Sequence, residues 1–219
     1  MASTGCPHVI NRFINRLSTG CSHQESAKMS EKNRPLDAPG AGLPPVEGWL
    51  ARHVIFPRFA RRTTTAEAVE KFIADGRWIV ERIRGLEPEQ QRSQVRIARL
   101  RGMEDSSREW SPLMVVEHLL MTGPGMLGAA KMLSAGIVPR RAVSTAAVKP
   151  KGDSGPEILD DFAKLLDGYA EEVAGLAFPD EPKFPHPWFG PLDSRRWVVL
   201  NAFHQALHRR QLEKIMEAM

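Results

Sequence analysis

The chain has 219 residues, 42% of them apolar and 26% charged, which suits one globular domain with a real core and excludes wholesale disorder. Its net charge of +4 is uneven: residues 1–62 hold nine Lys/Arg against four Asp/Glu, and the remainder holds 21 against 22. A nucleic-acid reader carries its basic patch on the folded module, so this near-neutral remainder argues against DNA or RNA as a partner.

Residues 1–45 read as a disordered or linker-like tail, ending in the Pro/Gly/Ala stretch RPLDAPGAGLPP. Both cysteines, Cys6 and Cys21, fall in this tail, so no disulfide framework holds the core, which suits a reducing cytoplasm. No apolar run approaches the ~20 residues that span a bilayer, so no membrane partner is expected, and no secretory signal is visible. His8 to Ser18 (HVINRFINRLS) spaces Val9, Ile10, Phe13, Ile14 and Leu17 helically among basic residues, as an organelle-targeting presequence does. A basic tail, or a true start at Met29, accounts for it too and is the preferred reading. Residues 46–62 are apolar and basic and are expected to pack as a short element on the core. A membrane-surface role would need an amphipathic helix there, which Pro57 interrupts.

Four helices are predicted to follow. The first starts at Thr64, whose spacing to Glu67 is a capping box, and runs to about Gly85 with Val69, Phe72, Ile73, Ile79, Val80 and Ile83 on one face. The second opens at Ser111 with Pro112 in its first turn. From Leu113 to Met121 it is apolar all round apart from Glu117 and His118, the pattern of a buried helix. Gly123-Pro124-Gly125 should kink or end it. Residues 135–153 are a long connection of the crossover type. The third helix is placed from Ser154, with Glu157 as capping partner. The fourth starts at Asp193 or Ser194, with Trp197, Leu200, His204, Leu207, His208, Gln211 and Ile215 on its core face. No strand pattern is evident. The 46–219 region therefore reads as an all-α four-helix bundle with a crossover between its second and third helices.

Three of the seven histidines carry chemistry. His204 and His208 are four apart, so their imidazoles stack on one helix face, one turn apart. Such a pair can chelate a divalent ion, though a lone HxxxH is more often two hydrogen-bonded core histidines. His118, alone on the most apolar helix, adds a third nitrogen that a bundle core can bring to the pair. Three protein ligands leave one position open, as in a catalytic site. The stretch reads HQALH, so Gln205 stands where a zinc protease needs its glutamate base. No E-x-x-H pair of a di-iron bundle is present.

The stretches REWSPLMVVEHLL and HPWFGPLDSRRWVVLNAFHQALHRRQLEKI resemble the DinB-like superfamily of metalloenzymes, over roughly residues 64–216. The resemblance implies a four-helix bundle with a crossover and a metal site of His118, His204 and His208. It also implies a metal-dependent transferase, isomerase or hydrolase acting on a small-molecule substrate. Some members of that superfamily work with a low-molecular-weight thiol, and the Cys-free core here would need an external one. The ion is expected to be zinc, nickel, manganese or iron, and a homodimer is a further expectation. A non-catalytic, metal-stabilised binding or stress-response protein is the alternative.

His186, in the proline-stiffened turn FPHPWFGP, reads as a turn anchor more than as a fourth ligand or a pocket wall. Trp188 and Phe189 read as packing aromatics or a pocket wall. Gln211 lies one turn beyond His208 and is a candidate to orient it. Trp110 is expected to plug the start of the second helix, Arg209 and Arg210 to form a solvated edge, and Glu117 is a weak candidate for a base.

Overall fold

In a computed structural model, the described residues are 34–142 and 144–219. The presequence-like stretch, Met29 and both cysteines lie outside them. The chain enters its compact unit, residues 37–219, through α1 (Pro45–Leu50), a π-helical turn (Ala51–Ile55) and α2 (Phe56–Arg62). Pro57 does not break this segment, contrary to expectation. It sits in the first turn of α2, and the wide turn before it accommodates the missing donor.

α3 (Thr65–Arg84) begins at the expected box, in which Thr64 Oγ1 accepts from the Glu67 N–H and the Glu67 carboxylate accepts from the Thr64 N–H. A single turn, α4 (Pro88–Arg92), follows. α5 (Pro112–Ser134) is capped by Ser111, whose hydroxyl accepts from the Met114 N–H at 3.2 Å. The helix continues unbroken through Gly123-Pro124-Gly125, because packing overrides the local breakers: Ala129, Ala130 and Leu133 beyond them are buried, and Asn201 donates to the Gly123 carbonyl. By length and composition α5 could cross a membrane, a stronger apolar run than expected. Here 67% of that window is buried inside the bundle, as in a core helix. α6 (Ile158–Ala174) begins later than predicted, since Pro156 disfavours helix before it and the Glu157 carboxylate accepts from the Gly155 N–H instead of capping. α7 (Ser194–Glu217) is capped by Asp193, which accepts from the Arg196 N–H at 2.7 Å.

Two antiparallel ribbons escaped the sequence reading: β1 (Val95–Arg96) with β2 (Glu109–Trp110), and β3 (Phe184–His186) with β4 (Gly190–Leu192). Runs of two or three residues are too short for a period-2 signal. Gly190 turns the second ribbon at φ 72°, with the Arg52 guanidinium 2.8 Å from where a Cβ would stand.

α3, α5, α6 and α7 form a four-helix bundle in which α6 and α7 each pack against both α3 and α5. Side-chain pairs fix the directions. Arg84 at the end of α3 meets Asp160 at the start of α6, so those two are antiparallel. Lys131 and Glu172, near the ends of α5 and α6, pair with each other, so these neighbours run parallel. The connection between them must return along the bundle and is therefore a crossover. α5 and α7 are antiparallel, with His118 against His204 and Gly123 against Asn201. Phe72 stacks on Tyr169 at 4.0 Å in the core, and Asn201 donates to the tyrosine oxygen at 3.2 Å.

Candidate metal centre

The α5/α7 seam brings His118, His204 and His208 together, with one ligand-capable atom from each lying within 4.8 Å of the others. His118 Nε2 is 3.2 Å from His204 Nε2, and His208 Nε2 is 3.1 Å from the same atom. The outer two rings are locked from behind. His118 Nδ1 lies 2.7 Å from the Val148 carbonyl, which only accepts, so this nitrogen carries the proton. His208 Nδ1 lies 2.7 Å from Gln211 Oε1, and that amide is oriented by its own Nε2 donating to the Ser107 carbonyl at 2.6 Å. Both Nε2 atoms therefore present lone pairs to the cluster.

His204 has no tautomer that satisfies this arrangement. Its Nδ1 is buried without a partner. A proton there is an unmet donor and leaves three lone pairs facing one another; a proton on Nε2 leaves Nδ1 an unmet acceptor. An electrophile resolves the conflict. Nitrogens bound at ~2.0–2.1 Å to one ion, at angles of about 90–110°, stand roughly 2.9–3.4 Å apart, and the observed 3.1 and 3.2 Å fall within that span. The residues thus fit a transition-metal ion. Burial depresses the basicity of all three rings, His118 to about 4 and the other two well below the ordinary histidine value, and a proton on any one further disfavours a proton on its neighbours. The rings are neutral and ready to ligate at pH 7.

The support behind Gln211 comes from the loop before α5, and that behind His118 from the connection after it. Arg108, almost fully buried, donates to the Ile97 carbonyl and pairs with Asp105 at 3.0 Å. This fixes the Ser107 carbonyl that holds Gln211. Gln211 itself, fully buried, was legible as an orienting residue; Ser107 and Val148 were not, because a backbone carbonyl has no letter in the sequence. Trp110 does more than plug the helix start. Its ring lies parallel to His208, 3° between planes at 5.8 Å, and 5.1 Å from His118.

A cavity of about 190 Å³ opens over the three nitrogens, lined by Trp188, Phe189, Trp197 and Phe203 among others. His186 lies on its wall and outside the histidine cluster, its Nδ1 accepting the Trp188 N–H at 3.1 Å. Lys149, which sequence reasoning missed, also lines it; its ammonium donates to the Ser106 carbonyl and stands 5.3 Å from the centre of the Trp110 ring. Glu117 turns away, its carboxylate accepting from the Lys151 and Gly152 N–H groups at 2.8 and 3.0 Å. Arg209 is not simply a solvated edge: it pairs at 2.8 Å with the buried carboxylate of Asp75 and lies 4.6 Å over Trp78.

No protein-family model and no curated protein matches the chain. Among solved structures it is similar to TT2238, described as a four-helix bundle protein: the two are 26% identical, the match covers 68% of this chain and 98% of that one, and the TM-score is 0.47.

Proposed function

We propose that the chain is a metal-dependent enzyme of the DinB-like kind, holding one divalent ion through His118, His204 and His208. The observation that carries this reading is the convergence of three Nε2 atoms, two with lone pairs fixed by acceptors behind the ring. When bound, the ion supplies Lewis acidity that activates a thiol or water, or polarises a carbonyl, for transfer, isomerisation or hydrolysis of a small molecule. An all-imidazole set suits zinc, nickel or iron better than manganese.

The protein's own residues bind, orient and exclude water. Aromatic side chains line the open side of the cluster, and a substrate seated against them would exclude water and strengthen the electrostatic contacts inside. Neither carboxylate near the cluster is placed as a base. Glu117 is engaged elsewhere, and Glu104, though on the cavity wall, accepts from the Gly40 and Gly42 N–H groups and the Ser106 hydroxyl. Gln205 is fully buried on another face of α7, against Gly76 and Leu166. A nucleophile that ionises readily suits such a site, which favours an external low-molecular-weight thiol over water. We place the enzyme in the cytoplasm, where such thiols stay reduced.

The missing base also favours a second reading, a metal-stabilised binding or stress-response protein without turnover. Protein purified without a histidine tag is expected to take up close to one zinc or nickel ion per chain by elemental mass spectrometry. Stoichiometry near zero after addition of Zn²⁺, Ni²⁺ or Mn²⁺ would overturn the metal site. His204→Ala separates the two readings: a catalytic site loses activity and keeps its fold, and a structural one loses much of its thermal stability.

A further inference from the structure

The cavity wall carries donors that the metal reading does not use. Trp188 donates its backbone N–H to His186 Nδ1, so the proton of the neutral ring sits on Nε2. That Nε2–H meets no protein acceptor among the described residues, although the side chain is 8% exposed and lines the cavity. Burial holds the ring neutral, lowering its basicity to about 4. Lys149 lines the same cavity, and its ammonium spends one donor on the Ser106 carbonyl and keeps others. Two other polar wall groups are engaged elsewhere: the Thr122 hydroxyl donates to the His118 carbonyl at 2.9 Å, and Glu104 holds three donors. Much of the wall is apolar, with Met121, Met126, Trp188, Phe189, Trp197 and Phe203. Three neutral imidazoles add no negative charge, so an ion they hold keeps its full positive charge and calls for an anion on its open side.

We propose that His186 and Lys149 bind the carboxylate of a small, mainly apolar organic acid in the cavity over the three-histidine cluster. The apolar body lies against the tryptophan and methionine side chains, and the carboxylate accepts from His186 Nε2–H and the Lys149 ammonium. His186 is thus a substrate-binding residue as well as a turn anchor. The inference rests on the proposed function in taking this cavity as the substrate site.

Benzoate and its neutral analogue benzamide are the probes, titrated by calorimetry into zinc-loaded and zinc-free protein. Benzoate is expected to bind both forms, more tightly with zinc, and benzamide at least about tenfold more weakly, the usual worth of a hydrogen bond to a charged group. His186→Asn places an oxygen where Nδ1 accepts the Trp188 N–H, keeping the turn, and removes the Nε2 donor; it is expected to weaken benzoate about tenfold. His186→Gln restores a donor near the Nε2 position and is expected to bind benzoate better than His186→Asn. A purely structural role for His186 predicts the reverse order. Benzamide binding as tightly as benzoate, Asn equalling or exceeding Gln, or no benzoate binding to either form would overturn the proposal. Zinc content is measured in every variant. Failure to load zinc counts against the metal reading alone, because the zinc-free series tests the carboxylate site separately.

Discussion

One amide at position 211 does two things: its nitrogen is spent on the Ser107 carbonyl and its oxygen on His208 Nδ1. Removing it frees the ring to rotate and to change tautomer. Gln211→Leu is therefore expected to lower zinc affinity by about 10–100-fold, measured by chelator competition, with the helical circular dichroism retained. Unchanged affinity would show that the amide does not position His208. Gln205 is the opposite case, a fully buried amide with neither its oxygen nor its nitrogen partnered. Gln205→Met, similar in shape and free of that unmet polarity, is expected to raise stability by about 1 kcal/mol or more in urea unfolding. The contrast marks how far single residues can be read from sequence. Helical spacing placed His204, His208 and Gln211 on one face and Gln205 off it. What no spacing encodes is that Val148, 30 residues from His118, supplies the acceptor that sets its tautomer.

At the scale of elements, legibility followed the local signals. Thr64, Ser111 and Asp193 each accept from the backbone N–H three residues on, and all three helix starts were readable from side-chain chemistry and the apolar period beyond. α6 was misplaced at its start because Ser154 and Glu157 imitate a box that Pro156 disallows. Pro124 does not end the helix, since tertiary contacts carry α5 past it. Ser111 also stands two turns before His118, so its cap sets the first turns of the helix that delivers the ligand. Ser111→Ala is expected to cost about 1 kcal/mol and to lower the melting temperature. A melting temperature equal to that of the unaltered protein would mean Pro112 alone defines the start.

For the whole molecule, burying neutral imidazoles links folding to pH. His118 and His186 titrate near 4 in the folded chain, and His204 and His208 are also depressed. In the unfolded chain all four return to about 6.5. Below that pH the unfolded state takes up protons that the folded state refuses, so their contribution to stability is complete above about 6.5 and is lost as pH falls toward 4. The urea midpoint of metal-free protein is expected to drop steadily between pH 7 and 4.5. A flat midpoint over that range would mean the histidines are not buried as neutral rings.

Trp110, lying flat along His208 and close to His118, gives this protein an optical gauge of its own. Paramagnetic Ni²⁺ or Co²⁺ among those imidazoles would drain the excited indole by short-range energy and electron transfer, whereas closed-shell Zn²⁺ would leave it bright and shift only its colour. With five tryptophans in the chain, Trp110→Phe identifies the share of the emission that reports the ion. Metal arrival and departure can then be followed in time without an added dye or a known substrate.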